Sequence, residues 1–135
     1  MDHVSRTPEI ILKEQASLLG EKTNQIVVAE VSQAKTSFTY LDPSRYNFYL
    51  VAPRLENFNS ESFHYRLFAI ECPNKFYPVV FHLGKQLQQE FNGKEKLIAK
   101  SEEEFISILS EIFHSERTRQ VIGSLLELSE AFVPL

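Results

Sequence analysis

The chain has one cysteine, four glycines, no tryptophan and no long apolar run, and each shortage excludes a class of protein. Cys72 has no second thiol in the sequence, so a disulfide-stapled secreted scaffold is excluded. The glycines (Gly20, Gly84, Gly93 and Gly123) stand far apart. P-loops and dinucleotide fingerprints need clustered glycines so that backbone can approach a phosphate, so neither can be drawn. No Gly-x-Ser-x-Gly occurs, which removes the nucleophile elbow of α/β-hydrolases. Apolar runs such as 26–29 fall far below the roughly 20 residues of a membrane-spanning helix. Residues Met1 to Arg6 contain no apolar h-region, so no signal peptide and no membrane are expected, and the reducing cytoplasm is the expected location. His3, His64, His82 and His114 are widely separated, with no His-x-x-x-His pair. No metal and no cofactor are expected.

Cationic frames are scarce too. Net charge is −4 with neutral histidines. A nucleic-acid footprint needs Lys and Arg clustered on one face, so no nucleic-acid partner is expected. The charge is unevenly placed. Residues 101–135 hold seven Glu against Arg117 and Arg119, a net of −5, which leaves about +1 for the first hundred.

What is present describes one α+β domain over residues 1–135. Composition is ordinary for a globular chain, at 43% hydrophobic and 24% charged. Thr7-Pro8-Glu9 starts a helix, because Thr caps exposed N–H groups and Pro needs no donor in the first turn. Ile11, Leu12, Gln15, Leu18 and Leu19 follow at helical spacing, with Gly20 as a stop or Lys22 as the last residue. Strands are expected over 26–31, 46–52, 63–72 and 76–83, with a fifth over 96–99 and a possible extension at 38–40. Asp42-Pro43-Ser44 and Pro73-Asn74 supply turns. Pro78 lacks a ladder donor, which points to an edge position or a bulge for the fourth strand. A short helix over 85–91 closes on Asn92-Gly93. Ser101 to Glu104 forms a capping box for a helix carrying Phe105, Ile108, Leu109 and Ile112, and Ser115 starts another. The expected architecture is an antiparallel sheet of four to five strands, preceded by one helix and followed by two or three on one face.

Chemistry-bearing residues gather around strands three and four. A hairpin about Pro73-Asn74 would bring His64 and His82 within about one register step. His64, Arg66 and His82 then offer a base, an anion-binding fork and a second imidazole, the kit of a small hydrolase or nuclease-like enzyme. Packing of Tyr65 and Tyr77 on a sheet with His and Arg at its wet side explains the same residues. Cys72 reads as a small buried hydrophobe. Several strands carry apolar residues on both faces, Tyr49 opposite Phe48 and Phe68 opposite Leu67 among them. One face therefore meets either helices or another molecule, a protein partner or a second copy.

The first reading of function is a non-enzymatic protein-interaction or regulatory module, immunity- or inhibitor-like in its charge. It binds through Glu103, Glu111 and Glu116 of the acidic C-terminal helices, or through a sheet face bearing Tyr49, Phe68 and Tyr77. The small enzyme is the alternative.

Overall fold

The computed structural model describes residues 6–34, 44–53, 64–73 and 76–131. Helix α1 (Pro8–Lys22) begins as the sequence predicts: the Thr7 hydroxyl accepts from the Ile10 N–H at 3.3 Å. It runs through Gly20, since the signal that ends it lies further on. The Thr23 N–H bonds the Leu19 carbonyl at 3.2 Å, and Asn24 and Gln25 take left-handed φ values of 54° and 64°. Gly20 is buried, and a Cβ there would stand 2.9 Å from the Gln25 side chain.

Five strands pair in chain order as an antiparallel meander: β1 (Val28–Ala34), β2 (Ser44–Val51), β3 (His64–Cys72), β4 (Val79–Leu83) and β5 (Lys96–Ala99). Between β4 and β5 lie α2 (Lys85–Gln88) and a 3₁₀ turn (Gln89–Phe91), closed by Asn92 and Gly93 at φ 57° and 75°. Helices α3 (Glu102–Phe113) and α4 (Glu116–Ala131) follow. This is the expected α+β order. The expectation for Pro78 was wrong. β4 lies between β3 and β5, and its first residue is Val79, so Pro78 precedes the ladder and removes no bond from it. The readings placed on 38–40, Asp42-Pro43, Phe63 and Asn74 fall outside the described residues.

A bulge decides which side chains of β3 face the helices. Phe48 pairs with Phe68, but the next residue, Tyr49, pairs with Arg66, so Leu67 is an extra residue in β3. Strict alternation would set Tyr65 and Phe68 on opposite faces. With Leu67 inserted, Tyr65 (opposite Leu50) and Phe68 (opposite Phe48) share one face, and His64, Arg66, Ala69 and Glu71 share the other.

Helices α1, α3 and α4 pack on the Phe48–Phe68 face, and the core lies between. Phe48 stacks on Phe68 with ring centroids 5.1 Å apart, Phe68 meets Phe81 at 5.7 Å, and Phe81 meets Phe105 of α3 at 5.2 Å. Ile11, Leu12, Leu109, Ile112, Val121 and Leu125 complete it. Burying each such side chain stabilises the fold by about 1.5–3 kcal/mol before entropy opposes it.

The helix ends are tied side chain to backbone. Ser101 Oγ accepts from the Glu104 N–H at 3.2 Å, while Glu104 reaches the Lys100 N–H at 2.8 Å, one residue before the cap. Glu90, in the 3₁₀ turn, accepts from the Glu116 and Arg117 N–H groups at 2.8 and 2.9 Å, placing a carboxylate on the positive end of α4. Ser115 Oγ adds a bond from the Thr118 N–H at 3.2 Å, as its role as a helix start predicts.

Candidate functional site

Among the described residues, the sheet face turned away from α1, α3 and α4 carries the polar residues. Read across the strands, one row runs Ser32, Asn47, Ala69, His82 and Lys96. Beside it, Glu71 lies between two basic side chains: Arg45 Nη1 stands 3.6 Å from its Oε1, and His82 Nε2 stands 2.6 Å from the same atom. The His82 contact is an ion pair whenever the ring is protonated, but it lacks hydrogen-bond alignment. Asn47 Oδ1 in the same row is buried and has no hydrogen-bond partner among the described residues. Partly exposed pairs of this kind contribute about 0–1 kcal/mol each.

The three residues of the enzyme reading share this face without meeting. Ala69 pairs with His82, and Val51 pairs with His64, so the histidines stand five residues apart along β3. That is roughly 15 Å at the rise of a strand. The expectation of a single register step was wrong, because the β3–β4 turn spans more residues than Pro73-Asn74. His64 lies 3.8 Å from Glu30 and edge-on to Tyr49 at 6.4 Å, away from His82. Arg66 is exposed beside Tyr49.

Of the sheet-face contacts, Tyr49 alone is on the face opposite α1, α3 and α4. Phe68 is 1% exposed and stacked in the core, so it cannot be a contact residue, and the bulge is the reason. Tyr77 precedes β4, packs against Phe105 with centroids 6.0 Å apart and donates to the Arg6 carbonyl at 3.3 Å. Burial, then the Glu102 charge, pushes its hydroxyl up to about 12. Cys72 is buried, and desolvation followed by Glu9 pushes its thiol up to about 12, which keeps it a neutral core residue rather than a nucleophile.

The acidic helices divide their carboxylates into two groups. Glu102 accepts from the Arg6 N–H at 2.7 Å, and Glu104 caps α3. Glu103 and Glu111 on α3 and Glu127 on α4 are exposed, with no ion-pair or hydrogen-bond partner among the described residues. Glu116 is exposed, and among the described residues its carboxylate accepts only from Gln120 of its own helix, at 3.4 Å. Both arginines of this segment donate to neutral acceptors of the chain, Arg117 half-buried and Arg119 exposed. Arg117 donates from Nε to the Tyr65 hydroxyl at 3.0 Å, and its guanidinium carbon lies 5.0 Å from the ring centre. Arg119 donates to the His114 carbonyl at 2.9 Å.

The concavities among the described residues include two beside the sheet. One, of about 440 Å³, opens between α1, α3 and the start of α4 over Phe48 and Leu50. The other, also about 440 Å³ but more open, lies between the start of β3 and α4 and is lined by His64, Tyr65, Arg117 and Gln120 with Val121, Ser124 and Leu125. Sequence reasoning missed both, along with the Glu90 cap, because each depends on how distant elements dock. Among the described residues, no group of three or more His, Cys, Asp or Glu is placed to hold a metal ion. No described helix is long and apolar enough to cross a membrane. No protein-family model, curated protein or solved structure matches the chain.

Proposed function

We propose that the protein is a non-enzymatic interaction module that captures a cationic protein partner through the outward faces of α3 and α4. The observation that supports this reading is the division of charge on those helices. Arg117 and Arg119 are turned to internal acceptors, whereas Glu103, Glu111 and Glu127 have none among the described residues. Carboxylates left without counter-charges raise a negative potential that speeds encounter with a basic surface and disfavours acidic ones. The exposed apolar side chains Ile106 and Leu128 lie on the same two helices, giving the acidic surface apolar points of contact. A small hydrolase using His64, Arg66 and His82 needs those groups to converge, and the spacing along β3 weighs against it.

The test is affinity capture by the tagged protein beside a Glu111→Lys/Glu116→Lys variant, with bound proteins identified by mass spectrometry. The expected result is a stoichiometric basic protein held by the wild type and lost from the variant, whose melting temperature is unchanged. Equal retention by both would remove the acidic helices from the binding surface.

A further inference from the structure

The cleft between α1 and α3 has a lining unlike the surface around it. Its floor is Phe48 and Leu50 of β2, and its walls include Leu19, Leu109, Phe113 and Ile122. Leu18 and Ile106, 45% and 39% exposed, also line it from α1 and α3. Large aliphatic groups left this open cost about 25 cal/mol for each Å² kept in water. They are therefore notable where they converge on one cavity. Its volume of about 440 Å³ lies within the range of ligand-binding clefts, roughly 300–1,000 Å³.

Charge selects the occupant. The chain has more acidic than basic residues, 18 against 14, yet no carboxylate is among the described residues that line this cleft. Its ionisable groups there are Lys22, near the C-terminus of α1, and His114, which follows α3. His114 Nδ1 lies 2.8 Å from the Ser110 carbonyl, an acceptor, so the ring's N–H is directed to that carbonyl and Lys22 is left as the cation that faces an occupant. Gln15, Ser110 and Thr118 supply further polar atoms. An apolar cavity with an ammonium on its lining, and no acid, complements an amphipathic anion.

We propose that this cleft binds an aliphatic monocarboxylate, its chain against Phe48, Leu50 and Leu109 and its carboxylate toward Lys22. Ile106 borders both this cleft and the acidic face of α3, but none of that face's carboxylates lines the cleft, and neither reading depends on the other.

The probe is sodium dodecanoate below its micelle concentration, titrated into the full chain and followed by calorimetry and amide NMR shifts. Dodecyltrimethylammonium serves as the cationic control. The variants are Lys22→Glu, which reverses the charge, and Ser110→Trp, which fills the cleft from an exposed helix position. The proposal expects saturable one-to-one binding with shifts confined to α1, α3, the start of α4 and the floor of β2. It expects a loss of about fivefold or more in each variant, with melting temperatures retained. It is overturned by absence of saturable dodecanoate binding, by undiminished binding in either variant, or by equal affinity for the cationic amphiphile. Shifts at the same residues on raising protein concentration alone would place a second copy in the cleft, and would overturn it too.

Discussion

The two faces of the sheet differ more than their sequences do. On the helix side, Phe48, Phe68, Ile70 and Phe81 are at most 1% exposed and stack into the helices. On the other side, Glu30, Ser32, His64, Arg66 and Lys96 are exposed, although Val51 and Ala69 are buried there as well. Both faces of β3 look apolar when the residues are read in strict alternation. Leu67 resolves this, since one extra residue brings Tyr65 and Phe68 to the same side. Face identity in this sheet is therefore set by register as much as by composition.

Deleting one residue from β3 tests that comparison most severely. Removing Leu67 restores regular pairing with β2 without changing the face of any remaining residue. The fold should survive and lose about the 2–5 kcal/mol of a truncated buried leucine. Removing Ala69 instead throws half the strand onto the wrong face, and no cooperative unfolding transition is expected. Circular dichroism during urea unfolding measures both. Two deletions with the same outcome would show that the bulge does not set the faces.

Single truncations give the next largest contrast. Phe81→Ala opens a cavity between Phe68 and Phe105 and should cost about 3–5 kcal/mol in urea unfolding. Arg66→Ala on the opposite face should stay within about 0.5 kcal/mol. Comparable losses would mean that the second face is packed as tightly as the first.

The last effect is a loss of stability in alkali, carried by helix-side residues. The Cys72 thiol and the Tyr77 hydroxyl, both pushed up to about 12 from ordinary values of 9.0 and 10.0, keep their protons longer in the folded chain than in the unfolded one. Their contribution is whole below pH 9 and is lost as pH rises toward 12. The urea midpoint should therefore fall with pH above 9, and less steeply in Cys72→Ala. Parallel slopes would mean that the buried thiol titrates as it does in the unfolded chain.

Much of this architecture was legible because it is written locally. Thr7-Pro8, Ser101 with Glu104, and Ser115 act within a few residues of themselves, and the helix starts came out as predicted. Strand alternation also located all five strands. Errors arose where one residue changed the geometry of another element. Leu67 moved Phe68 from a proposed contact surface into the core, and the β3–β4 register separated His64 from His82. Pro78 sat one residue outside a ladder it was expected to weaken. The site was less legible than the fold. Exposure of Glu103, Glu111 and Glu116 agreed with the helical pattern, but the internal engagement of Arg117 and Arg119 depends on Tyr65, 52 residues away, and on the turn at His114.

The most direct test of the account sets the helix surface against the sheet surface in one capture experiment. Three tagged baits are compared: wild type, Glu103→Lys/Glu111→Lys on α3, and Glu30→Lys/Arg66→Glu on the opposite sheet face. The account predicts a basic partner bound by the wild type and by the sheet variant, and lost from the helix variant. Loss from the sheet variant with retention by the helix variant would contradict it, and would move the binding surface to the face that bears Tyr49.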